Sequence, residues 1–152
     1  MLFNKTLLVF CVVFGGFVSV IVADDLWMTD FDAAKAMAKA ENKPIIMNFT
    51  GSDWCGFCIR LHKEVFSKAS FKEHAGAEWV LVELDFPRRT ELSAELTAQN
   101  ETLAQHYEIR GYPTILVLSP DGALIGKTGY RPGGAEVYVG HIQDILTQSA
   151  VQ

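Results

Sequence analysis

Two cysteines three positions apart are the residues of this 152-residue sequence best suited to chemistry. Cys55 and Cys58 lie in the segment Gly51-Ser-Asp-Trp-Cys-Gly-Phe-Cys, after a strongly apolar stretch. The spacing C-x-x-C serves a redox dithiol, half of a zinc site or a haem attachment. Haem attachment needs His directly after the second cysteine, where Ile59 stands, and structural zinc needs about four ligands. No second cysteine pair exists and His62 is predicted to be a surface residue, so the spacing favours a redox dithiol.

The place of the two cysteines at the start of a helix predicts their order of action. An apolar strand, a tight turn and a helix put Cys55 at the helix N-terminus, where free N–H groups and the helix dipole favour a thiolate. A lowered thiol pKa makes Cys55 the better nucleophile, whereas Cys58 is shielded one turn deeper. We therefore expect Cys55 to attack a disulfide and Cys58 to resolve the mixed disulfide that forms.

Strands and helices alternate around this motif. Asp30 is a plausible N-cap for the first helix. The predicted helices cover residues 31–41, 57–66, 90–107 (in two pieces, the second capped by Asn100) and 135–147, and the predicted strands cover 44–50, 79–85, 114–119 and 123–127. Strands separated by helices predict parallel pairing, and an Asp-Gly turn before the last strand predicts an antiparallel edge. The expected fold class is α/β, a central mixed β-sheet flanked by helices on both faces.

A second motif gives the cysteine pair a family context. Trp54-Cys-Gly-Phe-Cys58, combined with Arg110-Gly-Tyr-Pro-Thr114 further along, resembles the thioredoxin superfamily from roughly Trp27 to Leu146. The segment before Cys55 is similar, more narrowly, to exported bacterial thiol–disulfide interchange proteins. The resemblance implies a thioredoxin-like fold and a thiol–disulfide oxidoreductase that acts on protein disulfides. It implies no cofactor beyond the redox-active disulfide Cys55–Cys58.

The resemblance also implies roles for three residues around the cysteines. Pro113 matches the cis-proline that faces the redox pair and helps to bind the substrate chain; the alternative is an ordinary trans proline at a strand entry. Trp54 matches the tryptophan that covers the active site; the alternative is a core residue. Tyr112 stands where the family contacts substrate.

The sequence departs from the family where a proton acceptor is expected. Thioredoxins carry a buried Asp in the strand before the active site, and the matching residue here is Asn48, which cannot titrate. A basic residue in the neighbouring strand is replaced by Glu83. If Glu83 is buried beside Asn48, its pKa is raised and it can accept the proton of Cys58; the alternative is a side chain that points to solvent. Asp53 is a weaker candidate and is expected to be exposed.

The sequence does not decide whether electrons flow from the cysteine pair to the substrate or in the opposite direction. We expect a reductase fed by a membrane or periplasmic electron donor, with an oxidase or isomerase as the alternative. A thioredoxin-fold binding module without turnover is a third hypothesis, against which the presence of a resolving cysteine argues. The chain between Asp85 and Tyr112 is longer than a minimal thioredoxin needs, and Pro87-Arg-Arg-Thr90 belongs to a solvated elaboration or to a surface for a partner.

Composition and the N-terminal segment suggest where the protein works. The chain is 49% hydrophobic and 20% charged, as a globular domain is, and its net charge of −5 without a basic stripe argues against nucleic acid as a partner. Residues 1–23 combine one lysine with an uncharged apolar run from residue 6, which predicts a signal peptide or an uncleaved membrane anchor. We expect residues 24–152 to form one thioredoxin-like domain that is exported to the periplasm or another extracytoplasmic space.

Overall fold

The computed structural model describes residues 26–149, so the predicted signal or anchor at 1–23 lies outside the described part. The elements follow one another as β1 (Trp27–Met28), α1 (Phe31–Glu41), β2 (Ile45–Thr50), α2 (Gly56–Leu61), α3 (Ala69–Glu78), β3 (Val80–Asp85), α4 (Ala94–His106), β4 (Thr114–Leu118), β5 (Leu124–Thr128) and α5 (Gly134–Ser149). A π-helical turn, His62–Phe66, continues α2.

Helix α1 shows how local sequence sets the element bounds. The Asp30 carboxylate accepts the Ala33 N–H at 3.0 Å and caps the first turn, as predicted. Asn42 ends the helix in the left-handed region, with φ of 52°. Phe31, Ala34 and Ala38 recur at helical spacing on the buried face. The first predicted helix is therefore confirmed with its bounds.

The strands form one five-stranded mixed sheet in the order β1-β3-β2-β4-β5. β3 pairs with β2 in parallel, and β5 pairs with β4 in antiparallel. The prediction of parallel pairing for all strands separated by helices is wrong for β4, which runs antiparallel to β2. The connection through α4 returns the chain to the end of the sheet where β3 stops. β4 therefore begins with Thr114 opposite Phe49 and runs back.

Two helical predictions are wrong, and two elements have no counterpart among the predictions. The segment 90–107 contains one helix, α4, whose N-cap is Ser93, not two pieces. Asn100 caps nothing: it is buried inside α4, and its amide donates to the Asp85 carbonyl at 2.9 Å. β1 and α3 were not predicted. β1 has only two residues, and Lys68, the N-cap of α3, makes no capping hydrogen bond that a sequence pattern would reveal.

Helices cover both faces of the sheet, which confirms the predicted fold class. One cluster packs side chains of α2, α3 and α5 against the sheet: Leu61, Phe66, Phe71, Tyr138 and Ile142 with Ile46, Leu81 and Ile115. The other packs α1 and partly buried residues of α4 against the opposite face: Phe31, Ala34 and Ala38 with Met47, Phe49, Leu84 and Leu116. Because side chains alternate along a strand, Asn48 shares its face with Ile46, on the side covered by α2.

Candidate active site

The two cysteines meet at the start of α2. Cys55 is the N-cap of this helix, in an extended conformation, and its sulfur accepts the Cys58 N–H at 3.2 Å. The two residues are joined in a disulfide with Cα atoms 5.2 Å apart. Both are nearly buried, with 7% of Cys55 and 4% of Cys58 exposed. The two cysteines differ in their position at the helix start, because the N-cap sulfur of Cys55 accepts a backbone N–H group of the helix.

Asn48 and Glu83 lie directly opposite each other on β2 and β3. The Asn48 side-chain amide donates to Glu83 Oε2 at 3.3 Å. Burial raises the pKa of Glu83, the negative charge of Asp85 raises it further, and the hydrogen bond from Asn48 opposes the rise. The structure thus directs the partly buried side chain of Glu83 toward Asn48, and its surroundings favour the neutral carboxyl.

A cavity of about 280 Å³ connects this pair with the redox centre. Its lining is Asn48, Thr50, Ser52, Cys58, Ile59, His62 and Glu83. Asn48 is 3% exposed, and its Oδ1 receives no hydrogen bond from any described residue. The cavity is larger than one water molecule needs, several of its lining side chains are polar, and Asn48 Oδ1 offers an acceptor inside it. His62, predicted to be a surface residue, is exposed and also borders this cavity.

Trp54, Tyr112 and Pro113 come together beside the cysteines. The ring of Trp54 meets Tyr112 edge-on, with centroids 5.8 Å apart. The Tyr112–Pro113 peptide bond is cis. Pro113 immediately precedes β4, whose first residue pairs with Phe49 near the end of β2, so the proline turn lies at the same end of the sheet as the cysteine turn. The side chains of Trp54 and Tyr112 are both partly exposed there.

The segment after β3 closes over Trp54. The indole N–H donates to the Phe86 carbonyl at 2.7 Å, and the guanidinium carbon of Arg88 lies 3.7 Å from a Trp54 ring centroid. The Asp53 carboxylate accepts the backbone N–H of Arg88 at 2.9 Å and of Arg89 at 2.6 Å. The Arg88 N–H is the largest cause that lowers the pKa of Asp53. Asp53 therefore anchors a loop and has no evident part in proton transfer.

A second aromatic pair flanks the cysteines through Phe57. This side chain is 58% exposed and its ring lies 5.6 Å from that of Tyr130. The Tyr130 hydroxyl donates to Glu64 at 2.7 Å, and the Arg60 guanidinium lies over both rings at about 6 Å. The sequence indicates no role for Tyr130, and it marks Arg88 only as part of Pro87-Arg-Arg-Thr90, a solvated elaboration or a surface for a partner. Only the folded chain brings both residues to the cysteine motif.

Between residues 26 and 149, no three His, Cys, Asp or Glu side chains are grouped so as to hold a metal ion. Within the same range, no helix is long and apolar enough to cross a membrane.

Gly51 is required by the position of the Trp54 ring, which yields a testable prediction. A Cβ atom at Gly51 would lie 2.5 Å from the ring, and that ring is held by Phe86 and Arg88. Gly51→Ala is therefore expected to displace Trp54 and to lower the free energy of unfolding by about 1–3 kcal/mol, as overpacking does. Tryptophan fluorescence and urea unfolding measure both effects.

Gly56→Ala is the matched control, because a Cβ atom there meets nothing within 4 Å and Gly56 lies in α2. Alanine in a helix is expected to leave the stability unchanged or to raise it by up to about 1 kcal/mol. Equal destabilisation by both substitutions would contradict the special role of Gly51.

The fold and the cysteine pair define the class of this protein. A dithiol–disulfide pair at the start of a helix, on a mixed sheet covered on both faces, is the site of a thiol–disulfide oxidoreductase. The chain belongs to the thioredoxin-like family: the family model described as "Thioredoxin-like domain" matches residues 31–136.

Three relatives agree with this assignment. The chain is 32% identical, over 126 residues, to the disulfide bond reductase DsbH of Chlamydia pneumoniae, covering 83% of this chain and 76% of that protein. A solved structure titled "DsbH Oxidoreductase" superposes with a TM-score of 0.76 and 31% identity, covering 80% of this chain and 83% of the other. The thioredoxin-related protein DsbJ of Chlamydia pneumoniae is 27% identical over 104 residues, covering 68% of this chain and 30% of that protein.

Proposed function

We propose that this protein reduces disulfides of other exported proteins through Cys55 and Cys58. The observation that carries the proposal is the disulfide at the start of α2, in which the sulfur of Cys55 accepts the N–H of Cys58. In the reduced protein the same N–H and the helix dipole favour a thiolate at Cys55. The direction of the reaction rests on the similarity to a protein named as a disulfide bond reductase.

The reaction proceeds by two thiol–disulfide exchanges. The Cys55 thiolate attacks one sulfur of the substrate disulfide, so a Cys55–substrate bond forms while the substrate bond breaks, and the released thiolate takes up a proton. Cys58 then loses its proton and attacks the sulfur of Cys55, which releases the second substrate thiolate and forms the Cys55–Cys58 disulfide. Two electrons pass from the dithiol to the substrate. A reducing dithiol of a partner protein restores the pair.

Glu83 is proposed to accept the proton of Cys58 during the second exchange. Both residues line the same cavity, and Asn48 fixes the carboxylate by its hydrogen bond to Oε2. Burial raises the pKa of Glu83, which makes its carboxylate a stronger proton acceptor. Asn48 Oδ1, to which no residue of the described range 26–149 donates, can accept a hydrogen bond from a water molecule that bridges the thiol and the carboxylate.

Trp54, Tyr112 and Pro113 are proposed to bind the substrate chain around the target disulfide. The two partly exposed rings offer an apolar surface beside Cys55. Support comes from the strand register, because Pro113 directly precedes β4 at the end of the sheet where β2 leads into the cysteine turn. An extended substrate segment therefore meets aromatic side chains and backbone groups together.

The place of action is proposed from the N-terminal segment. We propose that residues 1–23 direct export, as a cleaved signal or a retained anchor, and that residues 24–152 form the working domain. Outside the cytoplasm protein disulfides are abundant, so a reductase finds substrates there. The pair must then draw its electrons from a dithiol donor in or next to the membrane.

Reduction of insulin tests the proposed function directly. The reduced protein, supplied with dithiothreitol, is expected to precipitate the insulin B chain many times faster than dithiothreitol alone. Cys55→Ser removes the attacking sulfur and is expected to return the rate to that of the dithiol alone. Turnover that persists in Cys55→Ser, or no acceleration by the parent protein, would contradict the proposal.

A further inference from the structure

The segment Phe86–Arg89 packs against the turn that carries Cys55. Trp54, which directly precedes Cys55, donates its indole N–H to Phe86, and its ring lies under the Arg88 guanidinium. Asp53 fixes the same segment by accepting two backbone N–H groups. These contacts position the Arg88 side chain in advance of any partner, which reduces the entropy lost on binding. The extra chain between β3 and α4 is therefore part of the rim of the active site.

The charge of Arg88 is not neutralised within the described chain. Arg88 and Arg89 are exposed, and neither guanidinium lies within ion-pair distance of an acid among residues 26–149. Asp53 uses its oxygens on backbone N–H groups, although its charge also interacts with Arg89. Asp85 accepts the N–H and the hydroxyl of Ser52.

The next acid along the chain is Glu91. It lines a cavity toward α4 together with Glu101 and with Phe86 and Pro87 of the segment, and neither Trp54 nor Arg88 belongs to that lining. Arg88 and Arg89 are thus exposed cations at the rim of the site that form no ion pair with a described acid, although the carboxylates of Asp53 and Asp85 lie nearby and the net charge of the chain is −5.

We propose that Arg88, assisted by Arg89, binds carboxylates of the substrate next to the cysteine that Cys55 attacks. The partner class is a protein with Asp or Glu residues flanking its target cysteine. This inference rests on the proposed function and names the substrates of that same site. A guanidinium presents several N–H donors in a plane and pairs readily with a carboxylate, while the Trp54 face holds it in place.

The charge of Arg88 at the contact, and not the net charge of the chain, governs the proposed preference for acidic substrates. A chain with a net charge of −5 repels an acidic partner at long range, so a preference for acidic substrates requires attraction at the contact itself. Trp54 and Tyr112 supply apolar contact for the target segment, and Arg88 lies over the former. The charged contact should act on binding and leave the exchange step unchanged.

Two peptide disulfides that differ only in flanking residues test the inference. One has Glu on both sides of the target cysteine, and the other has Lys. Pre-reduced parent protein is mixed with each peptide in a single-turnover experiment, which separates the dissociation constant from the limiting rate. The parent is expected to bind the Glu peptide several-fold more tightly, with limiting rates alike and the preference shrinking as salt is added.

Arg88→Gln is expected to reduce this preference by about threefold to fivefold, the upper range for one exposed ion pair. Arg88→Glu is expected to reverse it. Lys39→Gln is the matched control: it also removes one positive charge, but Lys39 lies at the far end of α1, near Asp121 of the β4–β5 turn, and should leave the preference intact.

Equal affinity of the parent for both peptides, or equal loss of preference in Arg88→Gln and Lys39→Gln, would overturn the inference. Reduction of neither peptide would instead contradict the proposed function. In that case a binding measurement alone tests the inference. Cys55→Ser, which cannot react, must still bind the Glu peptide more tightly than the Lys peptide.

Discussion

Cys58→Ser is expected to accumulate mixed disulfides with substrate proteins, whereas Cys55→Ser is expected to accumulate almost none. In the first variant the Cys55 thiolate still attacks, but no sulfur remains to resolve the bond that it forms. In the second the sulfur at the helix start is missing, and Cys58, inside the first turn of α2, lacks the N-cap position that favours a thiolate at Cys55. Non-reducing electrophoresis of extracts from cells that produce each variant measures the trapped complexes.

The double variant Cys55→Ser/Cys58→Ser is the control for background adducts. Both single variants lack the internal disulfide, so any difference between them reports the order of attack and not the loss of a cross-link. Equal trapping by the two single variants would contradict the roles assigned to Cys55 and Cys58.

Glu83→Gln is expected to slow the resolution of the mixed disulfide by about 100-fold near neutral pH, the lower range for loss of a general base. The first attack by Cys55 should be nearly unchanged. In the parent protein the resolution rate should rise with pH as Glu83 ionises, at a pKa raised by burial. Glutamine cannot titrate, so this rise should be absent from the variant. Rapid-quench kinetics with a preformed mixed disulfide measures both profiles.

The same substitution has an effect on stability whose sign follows from linkage. Because burial raises the pKa of Glu83, its charged form destabilises the folded state at pH values above the ordinary pKa of about 4.3, and the penalty vanishes below that pH. Glu83→Gln should therefore raise the free energy of unfolding at pH 7 and change it little at pH 4. Glu78→Gln, an exposed acid at the end of α3, should alter neither stability nor kinetics.

An unchanged resolution rate and pH profile in Glu83→Gln would show that Glu83 is structural. A stability gain without a kinetic effect would lead to the same conclusion, since it would reflect only the relief of a buried charge. Water or another group would then take the proton of Cys58.

Local patterns sufficed for the elements that begin and end with strong signals. Asp30 caps α1 and Asn42 stops it, so the first helix was predictable to the residue. β2 is apolar enough to be buried on both faces. Helix α3 lacked such a signal, because Lys68 caps it without a side-chain hydrogen bond. The direction of β4 was not predictable either, since it depends on where the connection from α4 returns the chain.

The same contrast holds in the site. Cys55 and Cys58 are close in sequence, and their spacing on a helix start already indicates redox chemistry. Asn48 and Glu83 needed the register of two strands, which the family resemblance supplied and the structure shows. The contact of Arg88 with Trp54 joins residues far apart in sequence and follows no short-range pattern. It depends on the loop hydrogen bonds of Asp53, which only the folded chain reveals.

The reduction potential of the Cys55–Cys58 couple tests directly whether this protein reduces disulfides. Equilibration of the protein with dithiol buffers of known potential, followed by quantification of free thiols, measures it. A protein-disulfide reductase requires a low potential, so we expect a value close to that of thioredoxin, about −270 mV. A value near about −120 mV, typical of the strongly oxidising members of the fold, would contradict reduction as the direction of this site.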